Sequence, residues 1–192
     1  MTDHRPVLLV FARAPRLGAV KRRLARGIGA RAALRFYAGQ LDAVLRAAAF
    51  DRRWRTIICA TPDGAHMPLR RRLPLRDQGH GDLGQRMDRA TRPHRRVVIV
   101  GSDIPGIGAA DIAAAFRALH RADAVFGPAE DGGYWLVGLG PRRPSRPFGH
   151  VRWSSEHALG DTIANFTGRR IALLRILRDV DTAEDFWALR QL

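Results

Sequence analysis

Acidic side chains follow two of the apolar segments that are typical of buried strands. Asp103 comes shortly after the apolar run 97–100, and Asp179 and Asp181 follow the apolar run 171–177. Open α/β sheets bind ligands beyond the carboxyl ends of their strands, where a hard divalent cation such as Mg²⁺ is held by one or two carboxylates and by phosphate oxygens. We therefore predict that Asp103 and Asp181 form a pair of metal ligands. For Asp103 the alternative is a helix cap. Capping can also explain Asp181 or Thr182, but it hardly explains Asp179 as well.

The turn after the first apolar segment combines a glycine with several cations. Gly18 and Lys21 lie between Arg13 and Arg23, and Lys21 is the only lysine in the chain. A phosphate cradle needs backbone N–H groups at a strand-to-helix turn, a glycine for close approach and a cation. A single lysine among arginines indicates a position that requires a compact ammonium. These four residues are predicted to bind phosphate, although the segment is neither a P-loop nor a GxGxxG fingerprint. An ordinary turn with its charges on a solvated helix face is the alternative.

The loop 78–84 carries three glycines. Gln78 begins it, and Gly79, Gly81 and Gly84 follow at close spacing. Glycines at this spacing let the backbone approach a flat base or a ribose, so we predict that these residues contact a nucleotide. The alternative is a tight turn before a helix that is capped by Asp82.

Two adjacent acids precede two adjacent glycines in the segment 127–139. Glu130 and Asp131 follow a short apolar run, and Gly132 and Gly133 permit the backbone to pass close to a ligand. We predict that these four residues line the substrate side of the site, with Asp131 orienting a hydroxyl or acting as general base. The alternative is a glycine bulge between two strands of a hairpin.

The elements that must position these residues alternate along the chain. Apolar runs of strand length are separated by helical patterns, including a longer helix over 31–50, a helix that begins at 154 with hydroxyl caps, and a late strand over 171–177. This alternation predicts an α/β fold with a mostly parallel, doubly wound sheet. The 192 residues fit one domain, 1–192. Cys59, the only cysteine, lies in an apolar run and is expected to be a buried thiol.

Composition limits the classes of partner. The formal net charge of +15 raises the alternative of a non-catalytic anion or nucleic-acid binder. The basic residues are spread through every segment and form no single block, so we expect an anionic small ligand and no nucleic-acid partner. No run approaches the length of a membrane span and the amino terminus lacks a secretory pattern, so a cytoplasmic location is expected.

Taken together, these segments resemble a known family. The segments VLLVFARAPRLGAVKRRL, QGHGDLGQRM, VVIVGSDIPGI, GPAEDGGYWLVGL, VRWSSEHAL and LRDVDTAEDF occur in the same order in the bacterial GT-A-like transferases first catalogued as a domain of unknown function. The match covers nearly the whole chain. It implies a GT-A-like fold, a nucleotide in the cleft, and Mg²⁺ or Mn²⁺ on Asp103 with Asp181 completing the metal shell. It also implies that Lys21 contacts the donor phosphates and acts in catalysis, and that Ala12 and Ser102 lie against the nucleotide.

The resemblance leaves the reaction open between two kinds of transfer. Members of the family are often labelled glycosyltransferases or nucleotide-diphospho-sugar transferases, which favours a sugar donor and a small-molecule acceptor. The first loop, the Asp-x-Pro element at 103–105 and the DVDTAED segment are similar to those of nucleotidylyltransferases of molybdopterin, phospholactate and isoprenoid pathways. Lys21 and the DVDTAED segment therefore favour attack of a phosphorylated acceptor on a nucleoside triphosphate. One departure concerns Arg22, which stands where the family usually has threonine.

Overall fold

The computed structural model describes residues 5–48, 51–68 and 73–189. Strands and helices alternate along the chain, as the sequence predicts. Their order is β1 (Val7–Arg13), α1 (Arg22–Ile28), α2 (Ala30–Ala48), β2 (Arg55–Thr61), β3 (Leu75–Asp77), α3 (Leu83–Thr91), β4 (Val97–Gly101), α4 (Ala109–Ala118), β5 (Ala124–Pro128), β6 (Tyr134–Leu139), α5 (Ala158–Ala164), β7 (Ile171–Leu173) and α6 (Ala183–Leu189).

The strands form one seven-stranded sheet in the order β3-β2-β1-β4-β6-β5-β7. β1, β2, β3 and β4 pair in parallel, β5 pairs in parallel with β7, and β6 is antiparallel to both of its neighbours. This arrangement confirms the predicted α/β class and mostly parallel sheet. Phe11 is paired with Cys59 and with Gly101, so β1, β2 and β4 reach the same edge of the sheet together. The segments that follow these strands therefore meet at one edge.

Each face of the sheet carries its own apolar core, because alternate residues of a strand point to opposite faces. Leu8 and Val10 of β1 pack on one face in a cluster that includes Trp54 and Ile112, and Leu9 packs on the other face in a cluster with Phe126 and Phe166. Cys59 is buried in the second cluster, and burial raises the pKa of its thiol to about 12. The predicted inert thiol is consistent with this position.

Several predicted boundaries are wrong. The helix expected to begin at 154 with hydroxyl caps begins at Ala158 and has no side-chain cap, because Ser154 has φ 59° and Ser155 stabilises the preceding turn by donating to Arg152 O. The late strand ends after three residues, at Leu173, and β3 was not predicted. The predicted end of the second helix, Phe50, lies outside the described residues. Among the described residues, no helix combines the length and apolar composition needed to span a membrane.

Candidate active site

Four charged side chains from three distant segments meet at the carboxyl edge of the sheet. Lys21 Nζ lies 2.7 Å from Asp179 Oδ1, 3.1 Å from Asp181 Oδ1 and 3.1 Å from Asp103 Oδ2. Lys21 follows β1, Asp103 follows β4, and the other two acids follow β7. We call these four residues the Lys21 cluster. The structure thus brings together the predicted phosphate-binding lysine and the predicted metal ligands.

The backbone of Lys21 turns the side chain inward. Lys21 is the N-cap of α1 and has φ 44° and ψ 52°, in the left-handed region. This conformation costs roughly 1–2 kcal/mol for a residue that has a Cβ, so contacts with the surrounding structure must stabilise it. The side chain of Lys21 is only 4% exposed, whereas Asp103 and Asp181 are 40% and 45% exposed. The ammonium is therefore the buried centre of the cluster, and two of its carboxylates face the solvent.

Packing between α1 and α6 fixes the segment that carries Asp179 and Asp181. Gly27 of α1 approaches Ala183 of α6 so closely that a Cβ at Gly27 would lie 2.5 Å from the Ala183 Cβ. Leu24 and Val180 are buried in one small apolar cluster beside this contact. The absence of a side chain at Gly27 therefore lets the two helices bring the acids against Lys21.

The charges of the Lys21 cluster do not balance. Burial alone would lower the pKa of Lys21, but the attraction of the three carboxylates outweighs it and the pKa lies above its ordinary value. Burial raises the pKa of Asp179 to about 6, with Lys21 opposing the rise and Asp103 adding to it. Three carboxyl groups surround one ammonium, so acidic groups outnumber basic ones in the cluster. The cluster is consequently suited to a further cation.

The donor set of the Lys21 cluster fits a hard divalent cation, because all of its acidic ligands are carboxylate oxygens. Asp103 and Asp181 each contact Lys21 through one oxygen, which leaves the other oxygen of each carboxylate outside these contacts. Within the described residues, no group of three or more His, Cys, Asp or Glu side chains is arranged as a metal site. The carboxylates are arranged around the ammonium instead.

A cavity of about 230 Å³ lies on the β1 side of the cluster. Five of the residues predicted to contact a nucleotide line it: Ala12, Arg13, Lys21, Gln78 and Ser102. Asp103 also lines this cavity, on the side of the Lys21 cluster. We call it the first cavity.

Tyr37, which lines the first cavity, was missed by the sequence prediction. Its hydroxyl accepts from Arg13 N at 2.8 Å, donates to Arg13 O at 2.8 Å, and lies 3.1 Å from Ser102 Oγ. It therefore ties the end of β1 to the residue after β4. In the sequence, Tyr37 is indistinguishable from the apolar residues around it on α2.

Gln78 lies at the base of the first cavity, but its side chain is engaged by the protein. Its amide donates to Cys59 O at 2.8 Å and to Ala12 O at 3.4 Å, and its carbonyl accepts from Arg86 Nη1 at 2.9 Å. The residue is buried, so it holds β1 against β2 below the cavity. Its side chain can shape a nucleotide site without contributing a free hydrogen-bonding group.

The glycines predicted to contact the nucleotide do not line the first cavity. Gly18, Gly79 and Gly81 have positive φ angles and form turns. A Cβ at Gly84 would lie 2.8 Å from the carbonyl oxygen of Phe148, so close packing accounts for this glycine. Asp82 caps α3 in a capping box with Gln85, which is the alternative stated above for this loop. Their contact with a nucleotide stays a prediction.

A second cavity of about 650 Å³ lies across the Lys21 cluster and shares Leu83 and Asp103 with the first. Its lining is acidic and aromatic. It includes five carboxylates (Asp103, Asp131, Glu156, Asp179, Asp181), two aromatic rings (Tyr134, Trp153), two hydroxyls (Ser154, Ser155) and one guanidinium (Arg23). Arg23, predicted on the nucleotide side, thus lies on the opposite side, with Nη1 3.9 Å from Asp181 Oδ2.

The turn 130–133 presents Asp131 to the second cavity. Asp131 Oδ1 accepts from Gly133 N at 2.9 Å, and Gly132 has φ 81°. A Cβ at Gly132 would clash with the carbonyl oxygen of Glu156, so the turn is packed against the segment before α5. Glu130 is exposed and does not line the cavity. The pairing of β5 with β6 also shifts at Gly127/Pro128, so the bulge is present beside the acids.

Comparisons with known proteins identify a family and a curated relative. A family model described as an uncharacterized protein conserved in bacteria, DUF2064, matches residues 44–155. The chain is 34% identical over 121 residues to the 2-phospho-L-lactate guanylyltransferase of Methanothermobacter thermautotrophicus. The aligned part is 58% of this chain and 51% of that enzyme, so the chain spans about half the length of this curated relative.

Solved structures confirm the predicted GT-A-like fold. A protein of Desulfovibrio desulfuricans, provisionally named a nucleotide-diphospho-sugar transferase, matches with a TM-score of 0.89 and 29% identity over 96% of this chain and 85% of that chain. The glucosyl-3-phosphoglycerate synthase of Mycobacterium tuberculosis, solved with Mn²⁺ and uridine diphosphate, matches with a TM-score of 0.59 and 10% identity over 96% of this chain and 75% of that chain. The second match bears on the fold alone.

Proposed function

The chain belongs to the DUF2064 family of bacterial proteins, and we propose that it transfers a sugar from a nucleotide-sugar donor to a small acceptor. Membership in the broader group of nucleotidyl and nucleotide-sugar transferases is supported by the guanylyltransferase and sugar-transferase relatives. The choice of sugar transfer rests on one observation, which is the acidic character of the second cavity.

The two cavities meet at Asp103, and this junction suits a group-transfer reaction. The first cavity carries Arg13 and Lys21 and would hold the nucleoside diphosphate part of the donor. The second cavity would hold the sugar and the acceptor. The bond between phosphate and sugar would then lie beside the Lys21 cluster, where charge develops on the leaving diphosphate.

The charges of the second cavity favour an acceptor without phosphate. Of its five carboxylates, Asp131 and Glu156 lie outside the Lys21 cluster and its proposed metal ligands, and its one guanidinium, Arg23, is 78% exposed. A phosphorylated acceptor would be repelled by this lining, whereas hydroxyl groups donate hydrogen bonds to carboxylates and sugar rings pack on aromatic faces. Tyr134 and Trp153 are the aromatic residues of this lining. A neutral, hydroxyl-bearing acceptor is therefore the better fit.

Each side chain has a proposed role. Lys21 and Arg13 would neutralise the donor phosphates, and Asp103 and Asp181 would hold Mg²⁺ or Mn²⁺. A metal bound there supplies Lewis-acid stabilisation of the departing diphosphate. Asp131 would accept the proton from the attacking acceptor hydroxyl, since Gly133 N orients one of its oxygens and the side chain borders the second cavity.

Nucleotidylyl transfer is the second candidate, and the guanylyltransferase relative favours it. In that reaction an acceptor phosphate oxygen attacks the α-phosphorus of a nucleoside triphosphate, the bond to the β-phosphate breaks, and pyrophosphate leaves. Lys21 would then contact the triphosphate, and the same carboxylates would hold the metal ion. The two candidates differ in the leaving group.

A ligand panel followed by product analysis tests the proposal. Thermal unfolding is measured with nucleoside diphosphates, nucleoside triphosphates and nucleotide sugars, each with and without Mn²⁺. The strongest ligands are then incubated with small sugars or with phosphorylated acceptors. Sugar transfer predicts release of nucleoside diphosphate from a nucleotide sugar. Release of pyrophosphate from a triphosphate would instead establish the second candidate, and no Mn²⁺-dependent stabilisation by any nucleotide would contradict both.

A further inference from the structure

The ammonium of Lys21 lies where the carboxylates of the cluster concentrate their negative charge. It is within 3.1 Å of one oxygen on each of three carboxylates, and its side chain is 4% exposed. The metal ligands proposed above are two of these three acids. A divalent cation that approached Asp103 and Asp181 would therefore come close to a fixed positive charge.

We propose that Lys21 keeps divalent cations out of the cluster until phosphate groups of a donor engage the ammonium. This inference rests on the metal ligands of the proposed function. In the protein without nucleotide, Lys21 takes the electrostatic place of the cation and neutralises part of the acidic cluster. When phosphates draw Lys21 into the first cavity, Asp103 and Asp181 lose one counter-charge and bind the metal.

The chemistry of lysine suits this exchange better than that of arginine. An ammonium has three N–H donors that point in different directions, and it contacts three separate carboxylates here. A guanidinium would instead pair with one carboxylate in a planar, bidentate arrangement. Of the 33 Lys and Arg residues in the chain, Lys21 is the only lysine and the other 32 are arginine.

Only the side chain of Lys21 needs to move. Its backbone is held at the N-cap of α1, and the residue lines the first cavity as well as the cluster. The flexible stem can therefore turn between carboxylates and phosphates around a fixed Cα. The alternative is a permanent ion pair with a purely structural role, in which Lys21 stays with its acids in every state.

Titration with Mn²⁺ alone tests whether Lys21 keeps divalent cations out of the cluster. Binding is followed by the electron paramagnetic resonance signal of free Mn²⁺, without nucleotide, in the native protein, Lys21→Met and Arg22→Met. Arg22 is the adjacent residue, is exposed and lies outside the cluster, so its variant is the matched control for loss of one positive charge. We expect Lys21→Met to bind Mn²⁺ at least about tenfold more tightly, because unit charges about 4 Å apart near a surface repel by more than the corresponding 1.4 kcal/mol. Arg22→Met should match the native protein.

Thermal unfolding provides a second measurement, which remains informative if Lys21→Met is less stable than the native protein. Lys21→Met leaves three carboxylates without their shared counter-charge, so its unfolding temperature should fall below that of the native protein without metal. Mn²⁺ should restore it to at least the native value. Equal or weaker Mn²⁺ affinity in Lys21→Met, or instability that Mn²⁺ does not correct, would overturn the proposal in favour of the structural ion pair.

Neither measurement requires a donor or an acceptor. A protein that failed to transfer sugar would still show the gain in Mn²⁺ affinity. Conversely, a negative Mn²⁺ result would leave sugar transfer to be judged by its own product analysis. The two proposals can therefore fail separately.

Discussion

The hydroxyl groups of Tyr37 and Ser102 lie 3.1 Å apart below the first cavity. Tyr37 also bonds both backbone groups of Arg13, so one phenol on α2 joins the ends of two parallel strands. The base of the proposed nucleotide site is thus held by Tyr37, which belongs to a helix packed on the sheet.

Replacement of Tyr37 by Phe should lower both stability and nucleotide affinity. Arg13 N–H and C=O would lose this partner, and because these bonds are partly buried we expect a loss of about 1 kcal/mol in the free energy of unfolding. Urea denaturation and calorimetry with the best nucleotide check both effects. Tyr134→Phe is the matched control, because that hydroxyl makes one longer contact of 3.4 Å with Thr162 and should matter less. Equal losses in the two variants would argue against the strand-joining role.

Asp103→Asn should largely abolish the dependence of nucleotide binding on Mn²⁺ while the fold is retained. The side chain is 40% exposed and α4 is capped at Gly108, so Asp103 has no capping role whose loss would complicate the result. Calorimetry with and without Mn²⁺ measures the change. Asp88→Asn, in a surface pair with Arg92, serves as the control. Unchanged Mn²⁺ dependence in the Asp103 variant would remove this residue from the metal site.

Asp131→Asn should reduce turnover by about 10²-fold or more while donor affinity stays at the native value. The substitution keeps the shape of the side chain but removes the basic carboxylate that borders the second cavity. Steady-state kinetics and donor calorimetry give the two quantities. Glu130→Gln is the control, since this neighbour is exposed and outside the cavity lining. Loss of metal-dependent donor binding would instead move Asp131 into the metal site.

The pair formed by Asp111 and Arg175 should make stability depend on acid pH. Burial opposes ionisation of Asp111, but hydrogen bonds from Arg175 and from Gly108 N outweigh it, so the pKa of Asp111 lies below its ordinary value. A depressed pKa contributes stability that is fully present above the unfolded pKa of about 3.9 and is lost as the pH falls through the folded value.

We therefore expect Asp111→Asn to destabilise the protein by about 1 kcal/mol at pH 7, with a difference that shrinks below about pH 4. Urea denaturation at several pH values measures it. Asp42→Asn, in an exposed pair with Arg46, should have a smaller effect at every pH. A difference between native protein and Asp111→Asn that did not vary with pH would contradict the assignment.

The sequence predicts the acidic residues of the site better than their partners. Asp103 and Asp181 are recognisable because each follows an apolar run, and parallel strands end at one edge. The contacts of Asp179 and Asp181 with Lys21 are not predictable in the same way, because they depend on the close packing of Gly27 against Ala183. The side of the cleft to which Arg23 belongs likewise depends on the direction of a side chain on α1, which spacing does not determine.

Polar residues that resemble caps account for the errors in the helix boundaries. Ser154 and Ser155 are suitable N-cap residues by type, but the left-handed backbone of Ser154 places them in a turn before α5. Thr182 is also suitable and does contact the first turn of α6, where its hydroxyl accepts from Asp185 N. The residue types are suitable caps in both cases, and the tertiary path of the chain determines whether the helix begins at them.

The distance along the chain between Lys21 and Asp179 has a consequence for synthesis. The two residues are 158 positions apart, so at roughly 5–20 residues per second the lysine is made roughly 8–30 s before its nearest acid. During that interval β1, β2 and β4 can pair on the ribosome, but the lysine can contact Asp103 alone among the three acids of the cluster. The cluster thus acquires its excess of carboxylates only when α6 docks on α1, and a nascent chain that binds nucleotide before then would do so without the full cluster.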